Sequence, residues 1–110
     1  MTSAEIGSYG EQYVTAFLAS KGFTCQQNTQ LPGSTDIEAT IKDVYGHITK
    51  ALLVQVKTAV TPNAPADLSA EDKKAIVVRA NLYSAEAWLA QVNLDSRGNQ
   101  LGDIKWTKLN

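Results

Sequence analysis

The chain has 110 residues, a formal net charge of -1 and a pI near 5.7. That length builds one hydrophobic core and excludes two, and the charge excludes the global basic field of a non-specific nucleic-acid binder, so any such binding rests on a local patch. The single cysteine, Cys25, excludes an internal disulfide and a cysteine-based zinc site, and leaves only His47 as a candidate partner for thiol catalysis. No apolar run approaches the roughly 18 residues of a membrane span, and the stretch MTSAEIGSYGEQ lacks the basic and apolar regions of a signal peptide. A cytoplasmic setting without a membrane partner is expected.

Thr2 followed by Glu5 has the form of a capping box. Ile6, Tyr13, Val14, Phe17 and Leu18 then recur at helical spacing until Lys21-Gly22 stops the helix. Phe23 to Thr29 alternates Phe23 and Cys25 with polar neighbours, which predicts a short strand near a sheet edge, ending in the loop QLPGS. Thr35 to Lys42 places Ile37, Ala39 and Ile41 on one face and Asp36, Glu38 and Thr40 on the other, and DVYGH turns the chain back. Ile48 to Lys57 is apolar on both faces until its last residues, as a central strand should be. TAVTPNAPADLS predicts a long loop, and Ser69 with Asp72 begins a second helix running to about Leu82, with Ile76, Val77 and Ala80 inward. EAWLAQVNLD and LGDIKWTKL flank the turn SRGNQ as a closing hairpin. The order αβββαββ predicts one α/β domain over residues 1–110, a central mixed sheet flanked by helices.

The central strand raises a chemical question. Residues two apart on a strand share a face, so Asp36 with Glu38, and Gln55 with Lys57, each point one way, ~7 Å apart along the strand. If the two strands are neighbours, all four groups converge. A core strand that turns polar at one end needs a cation, water or a salt bridge in compensation. Asp36, the Gln55 amide oxygen and the backbone carbonyl of Val56 are hard oxygen donors of the kind Mg²⁺ takes. Lys57 beside them suits phosphodiester cleavage, orienting or deprotonating the attacking water and neutralising charge that builds on phosphorus. On the first helix Glu11 falls in one stripe with Gly7 and Leu18, at the border of the buried face and within reach of the metal's waters. Gly7 and Gly10 weaken that helix, which points to close approach to the sheet or to a ligand.

At these residues the sequence resembles the PD-(D/E)xK nuclease superfamily, whose pattern is a strand-borne Asp, a hairpin, then Glu or Gln, any residue, and Lys. Here these are Asp36, Gln55 and Lys57. GSYGEQYVTAFLASKGF is similar to the first helix of the small archaeal Holliday-junction resolvases, with Glu11 as the helix-borne acid, and Gln55 in place of Glu is similar to Mrr-like restriction enzymes. The resemblance implies a restriction-endonuclease-like core and an Mg²⁺-dependent DNA endonuclease, with Mn²⁺ able to substitute. Asp36, Gln55 and Val56 would bind metal, Glu11 and Glu38 would assist, and Lys57 would act on the water or the transition state. Ser8, Lys73, Lys74 and Arg79 are candidate contacts to the nucleic acid. Glu38 departs from the usual apolar residue and would restore the charge that Gln55 lacks. The arginine usual after the first strand of the resolvases is absent. A homodimer or a partner protein is expected to supply the surface a small domain lacks.

Plainer readings stand beside these. Asp36 and Lys57 alone could be a buried salt bridge, Glu38 and Glu11 solvated charges, and Lys73, Lys74 and Arg79 an ordinary helix surface. His47 fits a turn residue. Trp88 and Trp106 fit the core or a dimer contact before base stacking. A non-catalytic binding subunit that kept the nuclease fold is the rival function, and RNA remains a second possible substrate.

Overall fold

The computed structural model describes residues 1–28 and 36–110, apart from the side chains of Asn28 and Asp36. The predicted loop QLPGS and the outer strand residues Thr29 and Thr35 therefore lie outside the described residues.

Helix α1 spans Ser3–Ser20 and begins with both halves of the expected capping box. The Thr2 hydroxyl accepts from the Glu5 backbone N–H at 3.1 Å, and the Glu5 carboxylate accepts from the Thr2 N–H at 3.2 Å. Val14 and Leu18 are buried on its inner face. Gly22, at φ +92, ends the helix, as Lys21-Gly22 predicts. Strands follow as β1 Thr24–Asn28, β2 Asp36–Lys42 and β3 Ile48–Val60, then helix α2 Ala70–Leu82, then β4 Glu86–Leu94 and β5 Lys105–Lys108. The order αβββαββ is the predicted one.

The five strands form one sheet in the order β1-β2-β3-β4-β5, antiparallel except between β3 and β4. Parallel neighbours need a long crossover, and α2 supplies it. Because the strand period is two, the sheet has two distinct faces. Leu52, Val54 and Val56 of β3 pack with Val14 and Leu18 under α1, together with Ile37 and Ala39 of β2 and Ala90, Val92 and Leu94 of β4. Leu53 and Ala87 pack on the other face with Ile76 and Ala80 of α2. The result is an α/β fold with a central mixed sheet between helices. Among the described residues no helix is long and apolar enough to cross a membrane.

The two hairpin turns among the described residues share one device. Asp43 Oδ1 accepts from the N–H groups of Tyr45 and His47 at 2.9 Å, and Gly46 sits at φ +83. Asp95 Oδ1 accepts in the same way from Arg97 at 2.8 Å and Asn99 at 2.9 Å, with Gly98 at φ +88. The bonds from Asn99 and then Arg97 hold the Asp95 carboxyl below its ordinary range. His47 is an exposed turn residue 3.6 Å from Asp43, as its plain reading has it. Trp88 and Trp106 meet edge to face at 6.3 Å on the α1 face, and Phe17 covers Trp106 at 5.5 Å, so both join the core. Cys25 is a half-buried strand residue whose thiol burial pushes up.

Three expectations need correction. β3 does not end at Lys57: Thr58, Ala59 and Val60 continue it, paired with Val92, Asn93 and Leu94, so the loop is shorter than TAVTPNAPADLS. In the second arm of the closing hairpin, LGDIKWTKL, only Lys105–Lys108 is strand. The chain leaves the sheet after the Leu94–Gln100 bridge, with Gly102 at φ +67. The two glycines of α1 also differ. A Cβ on Gly10 would lie 1.8 Å from Thr58 Oγ1, whereas one on Gly7 would meet nothing within 4 Å. Gly10 alone marks a close approach.

Candidate active site

The hairpin fixes the first relation. β2 and β3 pair so that Asp36 lies opposite Gln55, Ile37 opposite Val54 and Glu38 opposite Leu53. Even positions of β2 and odd positions of β3 therefore share the face toward α2. This register places Glu38, Gln55 and Lys57 on one side of the sheet, with Asp36 at the backbone position opposite Gln55. The pairing of β2 with β3 ends, among the described residues, at Asp36 and Gln55, so Val56 and Lys57 lie just past it. Gln55 is buried, 7% exposed, and Lys57 and Glu38 are half-buried. The side chain of Val56 belongs to the core under α1, leaving its backbone carbonyl as the one oxygen it could offer a cation. Among the described residues no three His, Cys, Asp or Glu side chains gather as a metal site.

Glu11 comes to the same end of the sheet but not to the same face. Its carboxylate accepts a hydrogen bond from Gln27 Nε2. Gln27 lies opposite Ile37, whose side chain faces α1. Glu11, Gln27, Cys25 and Ile37 line a groove of about 540 Å³ between α1 and β1, where Ser8 also lies, accepting from Gln12 Nε2 at 3.3 Å. The residue next to Glu11 explains its position: at Gly10, which has no side chain, the helix rests directly on Thr58 of β3.

On the other face α2 runs back from the end of β3 to the start of β4. Its N-terminus is capped by Ser69, whose hydroxyl accepts from the Asp72 N–H at 3.1 Å. Ile76 packs over Leu53 and Ala87, so one turn earlier the exposed Lys73 and Lys74 lie toward the end that carries Gln55 and Lys57. Arg79 is half-buried in the last turn, toward the opposite end.

Gln91 was not among the residues that the sequence singles out. It lies beside Lys57 in the parallel register, is buried, and donates from Nε2 to Ala66 O at 3.0 Å, to Asp67 Oδ1 at 3.2 Å and to Pro65 O at 3.4 Å. One buried amide thus holds the crossover loop down next to the lysine. The available signal was a lone glutamine inside the apolar run AWLAQVNL.

The position of Asp36, the Gln55 amide oxygen and the Val56 backbone carbonyl are of the hard-oxygen type that fits a small divalent cation, whereas Glu38 lines the groove with Leu53, Tyr83 and Ala85. No protein-family model matches the sequence, and no curated protein matches it. Among solved structures the chain is similar to Hjc of Archaeoglobus fulgidus, a Holliday junction resolvase from an archaeal hyperthermophile. The TM-score is 0.63 at 22% identity, covering 94% of this chain and 72% of the resolvase chain, a likeness that establishes a shared fold.

Proposed function

We propose that the chain is one PD-(D/E)xK nuclease-like domain, a Mg²⁺-dependent endonuclease acting on DNA, with Mn²⁺ able to replace Mg²⁺. The observation that carries this reading is the register of Asp36 against Gln55, with Lys57 next on the same face, in a fold shared with a junction resolvase. Asp36, Gln55 and the Val56 carbonyl would hold the cation, with Glu38 beside them, and Glu11 would act from the far side of the strand ends. A bound cation supplies Lewis-acid stabilisation of charge on the phosphate oxygens. Lys57 orients the attacking water and offsets negative charge as the phosphorus becomes pentacoordinate. Gln91 keeps the crossover loop, and with it the start of α2, in place beside Lys57. Lys73 and Lys74 then face the phosphate backbone, and a second copy of the chain extends the DNA surface.

A second reading is a catalytically inactive subunit with the same fold. It is favoured by the neutral Gln55 and by the attachment of Glu11 to Gln27 on the other face. Calorimetric titration with Mg²⁺ and Mn²⁺ separates the two. The enzyme reading expects saturable binding to the wild type that Asp36→Ala abolishes, and the inactive subunit shows no difference between the two proteins.

A further inference from the structure

Five of the large apolar side chains that folding leaves uncovered gather at one end of the molecule. Val44 and Tyr45 form the tip of the β2–β3 turn and are 94% and 82% exposed. Ile48 follows on β3, and Leu82 and Tyr83 close α2; all three are more than half exposed. The two groups meet across a groove of about 510 Å³ on the α2 face of the hairpin, which Ile48 and Tyr83 both line. α2 rests on β3 and β4 and leaves the β2 part of this face bare. At these exposures the five side chains uncover on the order of 600 Å² of apolar area, at the top of the range for a patch on a monomer and close to the ~800 Å² per partner of a standard interface.

Shape and charge select the occupant. The surface carries a projection and a hollow side by side. The projection is held in place by Asp43 Oδ1, which accepts from the Tyr45 and His47 N–H groups. The hollow has Leu53 and Ala85 among its walls, and Glu38 and Lys50 are its charged residues, of opposite sign. Such a wall has no preference for a charged ligand and suits a tyrosine, apolar in its ring and polar at its tip. A projection and a hollow on one surface are what a two-fold contact needs, because each copy then gives its projection to the other's hollow. The hairpin around them carries Lys42 and Lys50 against Glu38 and Asp43, so two copies meet without net repulsion. Side chains make this contact, and nothing is asked of the backbone edge, which is bulged at Thr49.

We propose that this surface is a two-fold interface with a second copy of the chain, Tyr45 of each copy entering the groove beside Tyr83 of the other. The inference rests on the proposed function in that this reading calls for a second copy, and it names the face that the copy uses. Trp88 and Trp106 do not serve, because they pack against the core under α1. The contact lies toward the far end of β3 from Gln55 and Lys57, so both polar ends stay open to DNA.

The test is light scattering and amide NMR over a dilution series of the full chain, without DNA or metal. The expected result is a mass twice 11.9 kDa at high concentration, a Kd below about 100 µM, and dilution shifts at Val44, Tyr45, Ile48, Leu82 and Tyr83. Tyr45→Glu should weaken the dimer more than tenfold and keep the folded amide spectrum, because the turn uses the Tyr45 backbone N–H and not its ring. A monomer at about 1 mM, dilution shifts that map elsewhere, or a dimer that Tyr45→Glu leaves unchanged would overturn the proposal. Cleavage is read separately. A monomeric wild type that cuts DNA keeps the nuclease reading and loses this one, and a dimer through these residues that cuts nothing does the reverse.

Discussion

Gly10 and Gly7 lie one helical turn apart and look alike in the sequence, yet they have opposite consequences. Gly10 faces Thr58, whose Oγ1 is buried without a hydrogen-bond partner among the described residues and stands where a Cβ would go. Gly10→Ala should therefore lift α1 off β3 and cost about 1–3 kcal/mol. Gly7→Ala meets open space and should stabilise the helix by roughly 0.5–1 kcal/mol. Urea denaturation of the two variants checks both signs. No local pattern distinguishes these glycines, because the difference is made by a residue on a distant strand. Gln55 poses the matching question for the site. As a neutral metal ligand it should accept Gln55→Glu, which adds a carboxylate of nearly the same shape and tightens Mg²⁺ binding. As a packed amide it should not, since a buried unpaired charge destabilises the fold strongly. Thermal melts with and without Mg²⁺ read this out, and the active-site reading expects metal to restore the melting temperature of the variant.

The elements were legible wherever period and punctuation agreed. The β2–β3 hairpin follows from Ile37, Ala39 and Ile41 alternating up to an Asp-x-x-Gly turn, and both helices start at the Thr2 and Ser69 caps that the sequence signals. The misread boundaries lie where pairing with another strand decides. Thr58, Ala59 and Val60 resemble the start of a loop because small residues run on into a Pro-rich stretch, but β4 supplies ladder partners as far as Leu94. Leu101 carries a strand-like apolar side chain, yet its N–H bonds to Asn93 O at 2.8 Å and Gly102 then bends the chain away. Gln91 was passed over because a polar residue in a strand usually faces water, whereas here it is buried under the crossover loop. Gln91→Leu should free that loop, leaving Ala66 O and Asp67 without their donor and costing about 1–3 kcal/mol. Hydrogen exchange should rise in residues 61–69 and stay unchanged in β2. If the amide is only filler, exchange in the loop will not move.

At the scale of the whole molecule, the sheet order puts the parallel β3–β4 pair at the centre and the polar groups at the end of β3, under the start of α2. The sequence shows which residues share a face. It does not show that Glu11 approaches from the opposite side, because helix phase says which stripe is buried but not which face of the sheet it covers. The polar end of β3, with Gln55 and Lys57, lies against the position of Asp36 on β2, and its other end is bulged at Thr49. With an acidic overall balance, Lys57 and the exposed Lys73 and Lys74 at the start of α2 are basic groups on this side of the sheet, so DNA binding should be weak in one copy and fall further with salt. The most direct measurement is cleavage of a labelled panel of linear, nicked, flapped, branched and single-stranded DNA in Mn²⁺ by the wild type, Asp36→Asn and Lys57→Ala. The account predicts cleavage of at least one substrate by the wild type and a loss of about 10² to 10³ in rate in each variant, with melting temperatures unchanged. Cleavage by either variant at the wild-type rate, or none by the wild type on any substrate, would contradict it.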